Sequence, residues 1–275
     1  MNASDAKRLP IGVFDSGVGG LTVLKALREE LPHEDLIYLG DTARLPYGTK
    51  SPASISRYAC QATRQLQRCD IKLLVVACNT ASAVALDMLR EQMAPLPVIG
   101  VVDPGANAAV SARPGGRHLV LATETTVRLG AYRHAIIDQD PQATVNELAC
   151  ELLVALAEEG WNDGAIAEAI VRRYLSDADE IAQEPDAVIL GCTHFPLLRH
   201  AFTSVFDDTV AIVDSASTTA AVASEMLGSL SLANDQDDAG SLRLLATDGA
   251  TRFARVGGQF LGEELTARDV TIVDL

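Results

Sequence analysis

Two of the five cysteines stand in the same local setting. Cys78 follows the apolar residues 75–77 and Cys192 follows residues 189–191, and each is followed by two polar residues. The apolar runs predict buried strands, so each thiol comes where a strand ends. Backbone N–H groups at the start of a following helix would favour the thiolate, which is the reactive form. The pair predicts one site at which two thiols act on one substrate.

The alternative for each cysteine is a packing role, because most free cysteines are small buried hydrophobes. The matched settings favour chemistry, and His194 is close enough to Cys192 to orient a thiol or exchange a proton with it. Cys60 and Cys69 lack such surroundings and are predicted to be structural. Cys150, between a strand-like segment and a helix, fits either role.

A metal site is not expected. One cysteine with one histidine cannot complete a tetrahedral site, and no second cluster with ligand spacing occurs in the sequence. The odd number of cysteines, without a C-x-x-C pair, supports neither a disulfide framework nor a four-thiolate zinc site. Free thiols are the prediction.

Three further segments place polar residues after predicted strands. Residues 15–21 carry glycines that let a ligand approach the backbone, but lack the P-loop and dinucleotide patterns. The backbone N–H groups at the start of the helix that follows could bind a carboxylate. Asp15 has two possible roles, either proton transfer or ammonium binding at a site, or capping of the helix. Residues 41–48 form a functional loop or an ordinary turn. The hydroxyls of residues 123–126 bind a carboxylate or cap a helix.

Short apolar runs alternate with segments of helical periodicity along the chain. The strand-like runs are residues 11–14, 36–39, 73–76, 98–102, 118–121, 188–190 and 210–213. The helical segments are residues 21–31, 55–66, 81–89, and 152–157 running on through 166–175. This alternation predicts an α/β fold with mostly parallel sheets and functional loops at the carboxyl ends of the strands.

The two cysteine segments, residues 75–80 and 189–194, resemble each other in sequence, which indicates two lobes of related construction. The prediction is a pair of pseudo-symmetric lobes, each a mostly parallel sheet flanked by helices, with the active site in the cleft between them. Residues 1–100 and 211–275 are assigned to the first lobe, and residues 101–210 to the second. Residues 232–240 are predicted to be a solvated loop.

Composition narrows the possible partners. The chain has 275 residues, 48% of them hydrophobic, which is enough for a well-buried core. A formal net charge of -15 argues against nucleic acid, since phosphate backbones attract clustered Lys and Arg. No apolar run approaches the roughly 18 residues of a membrane span, and no signal peptide is recognised. A cytoplasmic location without membrane contact is therefore expected.

The chain resembles the glutamate racemases of the aspartate/glutamate racemase superfamily. The resemblance spans nearly the whole chain and rests on four blocks: residues 12–21, 46–48, 77–82 and 190–196. It implies that Cys78 and Cys192 are proton-transfer thiols assisted by Asp15 and His194. The family's acidic helper corresponds to Glu158. The segment before Glu158 departs from the family pattern, however, because it has Glu151 and Ala155 where the family usually has prolines.

The resemblance also implies the residues that contact the substrate. These are Asp15, Ser16, Tyr47, Gly48, Asn79, Thr80, Thr193 and His194, and the hydroxyls of Thr123 and Thr126 are added as carboxylate ligands.

The implied reaction is interconversion of L- and D-glutamate, which supplies D-glutamate for peptidoglycan. Pyridoxal phosphate would need a Schiff-base lysine, but no lysine lies in the cysteine loops or beyond Lys72, which favours a route without a cofactor. A homodimer is expected. An aspartate or hydantoin racemase is the nearest alternative, and a regulatory contact with DNA gyrase is a hypothesis of another class.

Overall fold

A computed structural model describes residues 3–176 and 184–275, which form two parallel sheets flanked by helices. The strands in this part of the chain are β1 (Ile11–Asp15), β2 (Leu36–Gly40), β3 (Leu73–Val76), β4 (Val98–Gly100), β5 (Arg117–Ala122), β6 (Thr144–Ala149), β7 (Ala187–Gly191), β8 (Ala211–Asp214), β9 (Leu242–Ala246) and β10 (Val270–Ile272).

Helices precede or follow most strands. They are α1 (Ala3–Lys7), α2 (Leu21–Glu30), α3 (Pro52–Gln67), α4 (Asn79–Met93), α5 (Val102–Ala112), α6 (Glu124–Leu129), α7 (Ala131–Gln139), α8 (Glu151–Glu158), α9 (Gly164–Ser176), α10 (Arg199–Thr203), α11 (Ser215–Ser229) and α12 (Ala250–Leu261). Short 3-10 helices span Phe195–Leu198 and Ala267–Asp269.

The two sheets repeat one strand order. The first sheet runs β10-β9-β2-β1-β3-β4 and the second runs β6-β5-β7-β8, with all pairs parallel. The order 2-1-3-4 of the first sheet therefore recurs as 6-5-7-8 in the second. Cys78 follows β3 and Cys192 follows β7, so the two thiols occupy equivalent positions. The predicted α/β fold with two related lobes is confirmed.

The apolar runs are strands because they are buried on both faces. In the first sheet Val13 and Val75 face one hydrophobic cluster, while Phe14 and Val76 face another on the opposite side. The first of these clusters also contains Leu121 and further residues of the second sheet. The two lobes thus share one continuous core.

Three expectations need correction. Residues 211–214 form β8 and pair with β7, so the chain leaves the second sheet one strand later than predicted, after Asp214. Strands β9 and β10 were not predicted. The helix expected to run from 152 to 175 is broken into α8 and α9, because Gly160 and Gly164 adopt positive φ angles of 75°. Residues 232–240 form a loop, as expected.

Within the described residues, no helix combines the length and the apolar character needed to cross a membrane.

A buried ion pair joins the amino-terminal edge of the first sheet to two loops. Lys72 pairs with Glu34, and its ammonium also donates to the carbonyls of Lys7 at 2.5 Å and Leu232 at 3.0 Å. The side chains of Lys72 and Glu34 are 1% and 4% exposed. Removing the lysine would leave a buried carboxylate without its counter-charge.

We therefore expect Lys72→Met to lower the free energy of unfolding by about 3–5 kcal/mol. Urea denaturation followed by circular dichroism measures this. Lys25→Met is the control, because Lys25 is exposed on α2; its change should stay within about 0.5 kcal/mol. Equal stability of the two variants would contradict the proposed role of the buried pair.

Candidate active site

A small cavity of about 50 Å³ lies where the carboxyl ends of strands from both sheets meet. Ten of the predicted residues line it: Ser16, Tyr47, Gly48, Cys78, Asn79, Thr80, Thr123, Cys192, Thr193 and His194. Pro46, Glu151 and Val154 complete the wall. The volume suits only one or two water molecules. The cavity therefore brings both strand-end thiols to one enclosed space.

Cys78 occupies the N-cap position of α4, as its place after a strand predicted. Its sulfur accepts a hydrogen bond from the backbone N–H of Ala81 at 3.4 Å and lies 3.4 Å from the hydroxyl of Ser16. Burial nevertheless raises the pKa of the thiol to about 11, and the Asp15 carboxylate contributes in the same direction. The backbone N–H groups of Ala81 and Ser16 lower the pKa, as expected of a helix start, but the desolvation of the thiol outweighs them.

Cys192 is buried at the matching position after β7. Its sulfur lies 3.8 Å from Nδ1 of His194. Burial raises the pKa of this thiol well above its usual range, and the charges of Cys78 and Asp15 raise it further. Both pKa values lie above neutral pH, which favours the protonated form of both thiols.

Behind Cys192, the ring of His194 is held by a contact with a carboxylate. Its Nε2 lies 3.1 Å from Oε1 of Glu158, and Oε2 of Glu158 accepts a hydrogen bond from Arg252 at 2.7 Å. Burial acts to raise the pKa of Glu158, but the contacts with His194 and Arg252 outweigh it and hold the pKa at about 2. Glu158 does not line the cavity; it reaches the site through His194.

Asp15 ends β1 and is almost completely buried. Its Oδ2 accepts the backbone N–H of Gly17 at 2.8 Å, while Oδ1 has no hydrogen-bond partner among the described residues. Burial raises the pKa of this carboxyl, although the charge of His194 acts in the opposite direction. Asp15 lies behind the cavity wall, next to Ser16. Its side chain is not among the described residues that line the cavity.

Three threonine hydroxyls form a triangle at the junction of the lobes. Thr123 lies 2.9 Å from Thr80 and 3.1 Å from Thr126, and Thr126 donates to Thr80 at 3.4 Å. Thr80 and Thr123 line the cavity, whereas Thr126 supports them from behind. The Thr123 side chain makes no hydrogen bond that caps α6, so the helix-capping role predicted as one alternative does not apply to it. Its hydroxyl contacts the other two threonines instead.

Asn79 presents an unused donor. Its Oδ1 accepts the hydroxyl of Tyr132 at 2.7 Å, which orients the amide, and its buried Nδ2 has no partner among the described residues. The Tyr47 hydroxyl, by contrast, donates to Asp41 at 2.5 Å and is already occupied. The wall residue Gly48 fits closely because a Cβ there would lie 2.9 Å from that of Thr123.

The start of α2 packs tightly on the loop that carries His194. The Thr22 hydroxyl donates to the carbonyl of Thr193 at 2.9 Å. A Cβ added to Gly19 would lie 2.3 Å from Oγ1 of Thr193 and 2.4 Å from Nδ1 of His194. Only glycine permits this approach between the lobes.

Gly19→Ala should therefore displace His194 from Cys192 and lower kcat/KM by about 10²-fold, the cost of misplacing a catalytic group by about 1 Å. Gly228→Ala is the matched control, because a Cβ at this position on α11 meets nothing within 4 Å. Steady-state kinetics compares the two. A Gly19→Ala variant as active as the control would refute the close packing.

Sequence reasoning missed Val154 and Arg252, and noted Glu151 only as a departure from a family pattern. Glu151 lines the cavity and accepts the backbone N–H of Glu124 at 2.5 Å. Its position two residues after the end of β6, like that of Cys78 after β3, is the signal that identifies it. Arg252 carries no such signal, since its partner lies 94 residues away.

Metal-ligating residues do not cluster in the part of the chain that the structure describes: no group of three or more His, Cys, Asp or Glu side chains is placed to hold an ion. No lysine lines the cavity among those residues.

The similarity of the chain to known proteins shows its family. The sequence profile of the family described as Asp/Glu/Hydantoin racemase matches residues 11–223. The chain belongs to this family. Its members are racemases, and hence isomerases, and the match includes both cysteine loops and both sheets except β9 and β10.

Similar proteins within the racemase family agree over nearly the full length. The glutamate racemase of Geobacter metallireducens is 47% identical over 255 residues, covering 93% of each chain. A crystal structure of the Francisella tularensis glutamate racemase in complex with D-glutamate superposes with a TM-score of 0.88 at 36% identity. The Thermus thermophilus enzyme in complex with β-chloro-D-alanine gives 0.87 at 42% identity. Both structural alignments cover 98% of each chain.

Proposed function

We propose that this racemase interconverts L- and D-glutamate, using Cys78 and Cys192 as a pair of acid–base groups on opposite faces of the substrate. The observation that carries the proposal is the placement of the two thiols at equivalent strand ends on the wall of one cavity. The glutamate racemases similar to this chain support the choice of substrate.

Racemisation removes a very weakly acidic proton from the α-carbon and returns one to the opposite face. A single base would have to move around the carbanion, whereas two groups need not move. One thiolate takes the proton as the C–H bond breaks, and the opposite thiol gives its proton to the carbanion. Each turnover therefore exchanges the thiol and thiolate states of Cys78 and Cys192. Proton transfer contributes roughly 10²–10⁴-fold, and enclosure and orientation contribute the rest.

Two acid–base groups assist the thiols in this mechanism. Asp15 assists Cys78 from behind the cavity wall, next to Ser16, whose hydroxyl lies 3.4 Å from the Cys78 sulfur. Burial raises the pKa of the Asp15 carboxyl, which makes it a stronger base than an exposed aspartate. His194 serves Cys192 across the 3.8 Å between Nδ1 and the sulfur. The positive α-ammonium group of a bound amino acid would also stabilise a thiolate in this desolvated space, which offsets the raised pKa values of the thiols.

Local dipoles hold the carboxylates of the substrate. The chain carries a net charge of -15, so its long-range field does not attract a dicarboxylic acid. The free Nδ2 of Asn79 and the hydroxyls of Thr80 and Thr123 supply short-range donors on the cavity wall.

The biological role that follows is supply of D-glutamate for peptidoglycan. The predicted homodimer and the regulatory contact with DNA gyrase remain predictions that rest on the family resemblance alone.

The direct test uses purified protein freed of small molecules by dialysis. Circular dichroism follows L-glutamate, D-glutamate and both enantiomers of aspartate in separate reactions. We expect both glutamate solutions to lose their signal and both aspartate solutions to keep it. Faster conversion of aspartate would assign the chain to another member of the family, and no conversion of either acid would contradict the proposal.

A further inference from the structure

Arg252 stands at the end of a line of polar contacts that leads to Cys192. Its helix, α12, packs on the first lobe, where the Phe253 ring lies 6.0 Å from that of Tyr38. The guanidinium donates through Nη2 to Oε2 of Glu158 at 2.7 Å. Glu158 ends α8 in the second lobe, so this contact crosses between the lobes.

The two oxygens of Glu158 have different partners. Oε2 accepts from Arg252 while Oε1 lies 3.1 Å from Nε2 of His194. A carboxylate with one oxygen fixed cannot rotate freely, so Arg252 sets the direction in which the other oxygen points. Among the described residues Arg252 and His194 are the side chains that contact this carboxylate, and its own side chain is 15% exposed.

The imidazole of His194 is held from three sides. Glu158 contacts Nε2, the Cys192 sulfur and the Thr193 hydroxyl lie 3.8 Å and 3.4 Å from Nδ1, and the Phe260 ring packs edge-on with centroids 5.0 Å apart. Fixing Nε2 on Glu158 leaves Nδ1 to face the thiol. Cys78 stands apart from this line within the described part of the chain: its thiol donates a hydrogen bond to Ser16 and accepts one from the backbone N–H of Ala81.

We infer that Arg252 is a positioning residue of the reaction: by orienting Glu158 it keeps His194 beside Cys192, and it thereby controls the reactivity of one thiol and not the other. The inference deepens the proposed function and rests on it for the kinetic consequence. Because Arg252 comes from the first lobe and its targets from the second, the line of contacts forms only when the lobes are together.

The test compares the alkylation rates of the two thiols in one sample. Iodoacetamide modification near pH 8.5, about the pKa of a free thiol, is followed by peptide mass spectrometry. In Arg252→Gln the Cys192-to-Cys78 rate ratio should fall about 5-fold, with kcat about 10-fold lower and KM changed less than about 3-fold. Arg252→Lys, which keeps the charge, should recover most of both.

Arg255→Gln is the matched control, because Arg255 is an exposed arginine on the same helix; it should leave the ratio and kcat unchanged. In a Glu158→Gln background, Arg252→Gln should have little further effect. The inference would be overturned by equal changes in the alkylation rates of both thiols. It would also be overturned if the effects of Arg252→Gln and Glu158→Gln on the rate ratio were fully additive. The ratio of alkylation rates does not depend on glutamate turnover. Failure of the protein without substitutions to convert glutamate would therefore refute the proposed function and leave the test of Arg252 intact.

Discussion

Replacing either thiol by serine should lower the rate of glutamate racemisation by at least about 10³-fold, because a serine hydroxyl is too weak an acid to share a proton at neutral pH. Cys78→Ser and Cys192→Ser should have effects of similar size, since each turnover uses both groups. Serine is close to cysteine in size and shape, so the fold should remain intact. Circular dichroism of the substrate measures the rate, and thermal unfolding checks the fold.

Cys60→Ser is the control for this pair of variants. Its thiol lies on α3, 2.9 Å from Gln92 and outside the cavity, so its replacement should leave turnover unchanged. Near-normal activity in either Cys78→Ser or Cys192→Ser would show that one base suffices. It would remove the basis of the two-thiol mechanism.

The second large effect is expected at His194. His194→Asn removes the contact with Glu158 and the group beside the Cys192 sulfur. We expect kcat to fall about 10²–10³-fold, within the range for loss of acid–base assistance. The loss should be mainly in kcat, because the hydroxyl and amide donors of the cavity wall remain in place.

His200→Asn provides the comparison, since His200 is an exposed histidine on α10, six residues further along the chain. Its activity should equal that of the unmodified protein. If His194→Asn were equally active, proton transfer at Cys192 would not need the imidazole, and the line of contacts from Arg252 would have no target.

Much of the candidate site could be predicted because most of its residues follow a buried strand. Continuous apolar runs such as residues 73–76 and 188–190 can be recognised as central parallel strands, and polar residues after them must meet at one edge of a sheet. Cys78 and Cys192 were found in this way from their own surroundings. Glu158 was found only through the resemblance, since nothing in its local sequence indicates contact with His194.

The remainder depends on pairings over long distances in the chain. Strand β9 contains Arg243 and lies on β2, some 200 residues earlier, so its apolar pattern gives no indication of its partner. Strand β8 looks the same whichever sheet it joins, which is why the lobe boundary was placed too early. The raised pKa values of the thiols could not be predicted either, because the degree of desolvation depends on how closely the two lobes approach each other.

The central claim is that two sulfurs serve opposite faces of one carbon atom. Racemisation of L-glutamate in heavy water, stopped early and analysed by NMR or mass spectrometry, tests it most directly. We expect the D-glutamate formed to carry deuterium at the α-carbon, while the L-glutamate not yet converted retains hydrogen. D-glutamate that keeps the original hydrogen would mean that a single group carried the proton between the faces, and would contradict the mechanism.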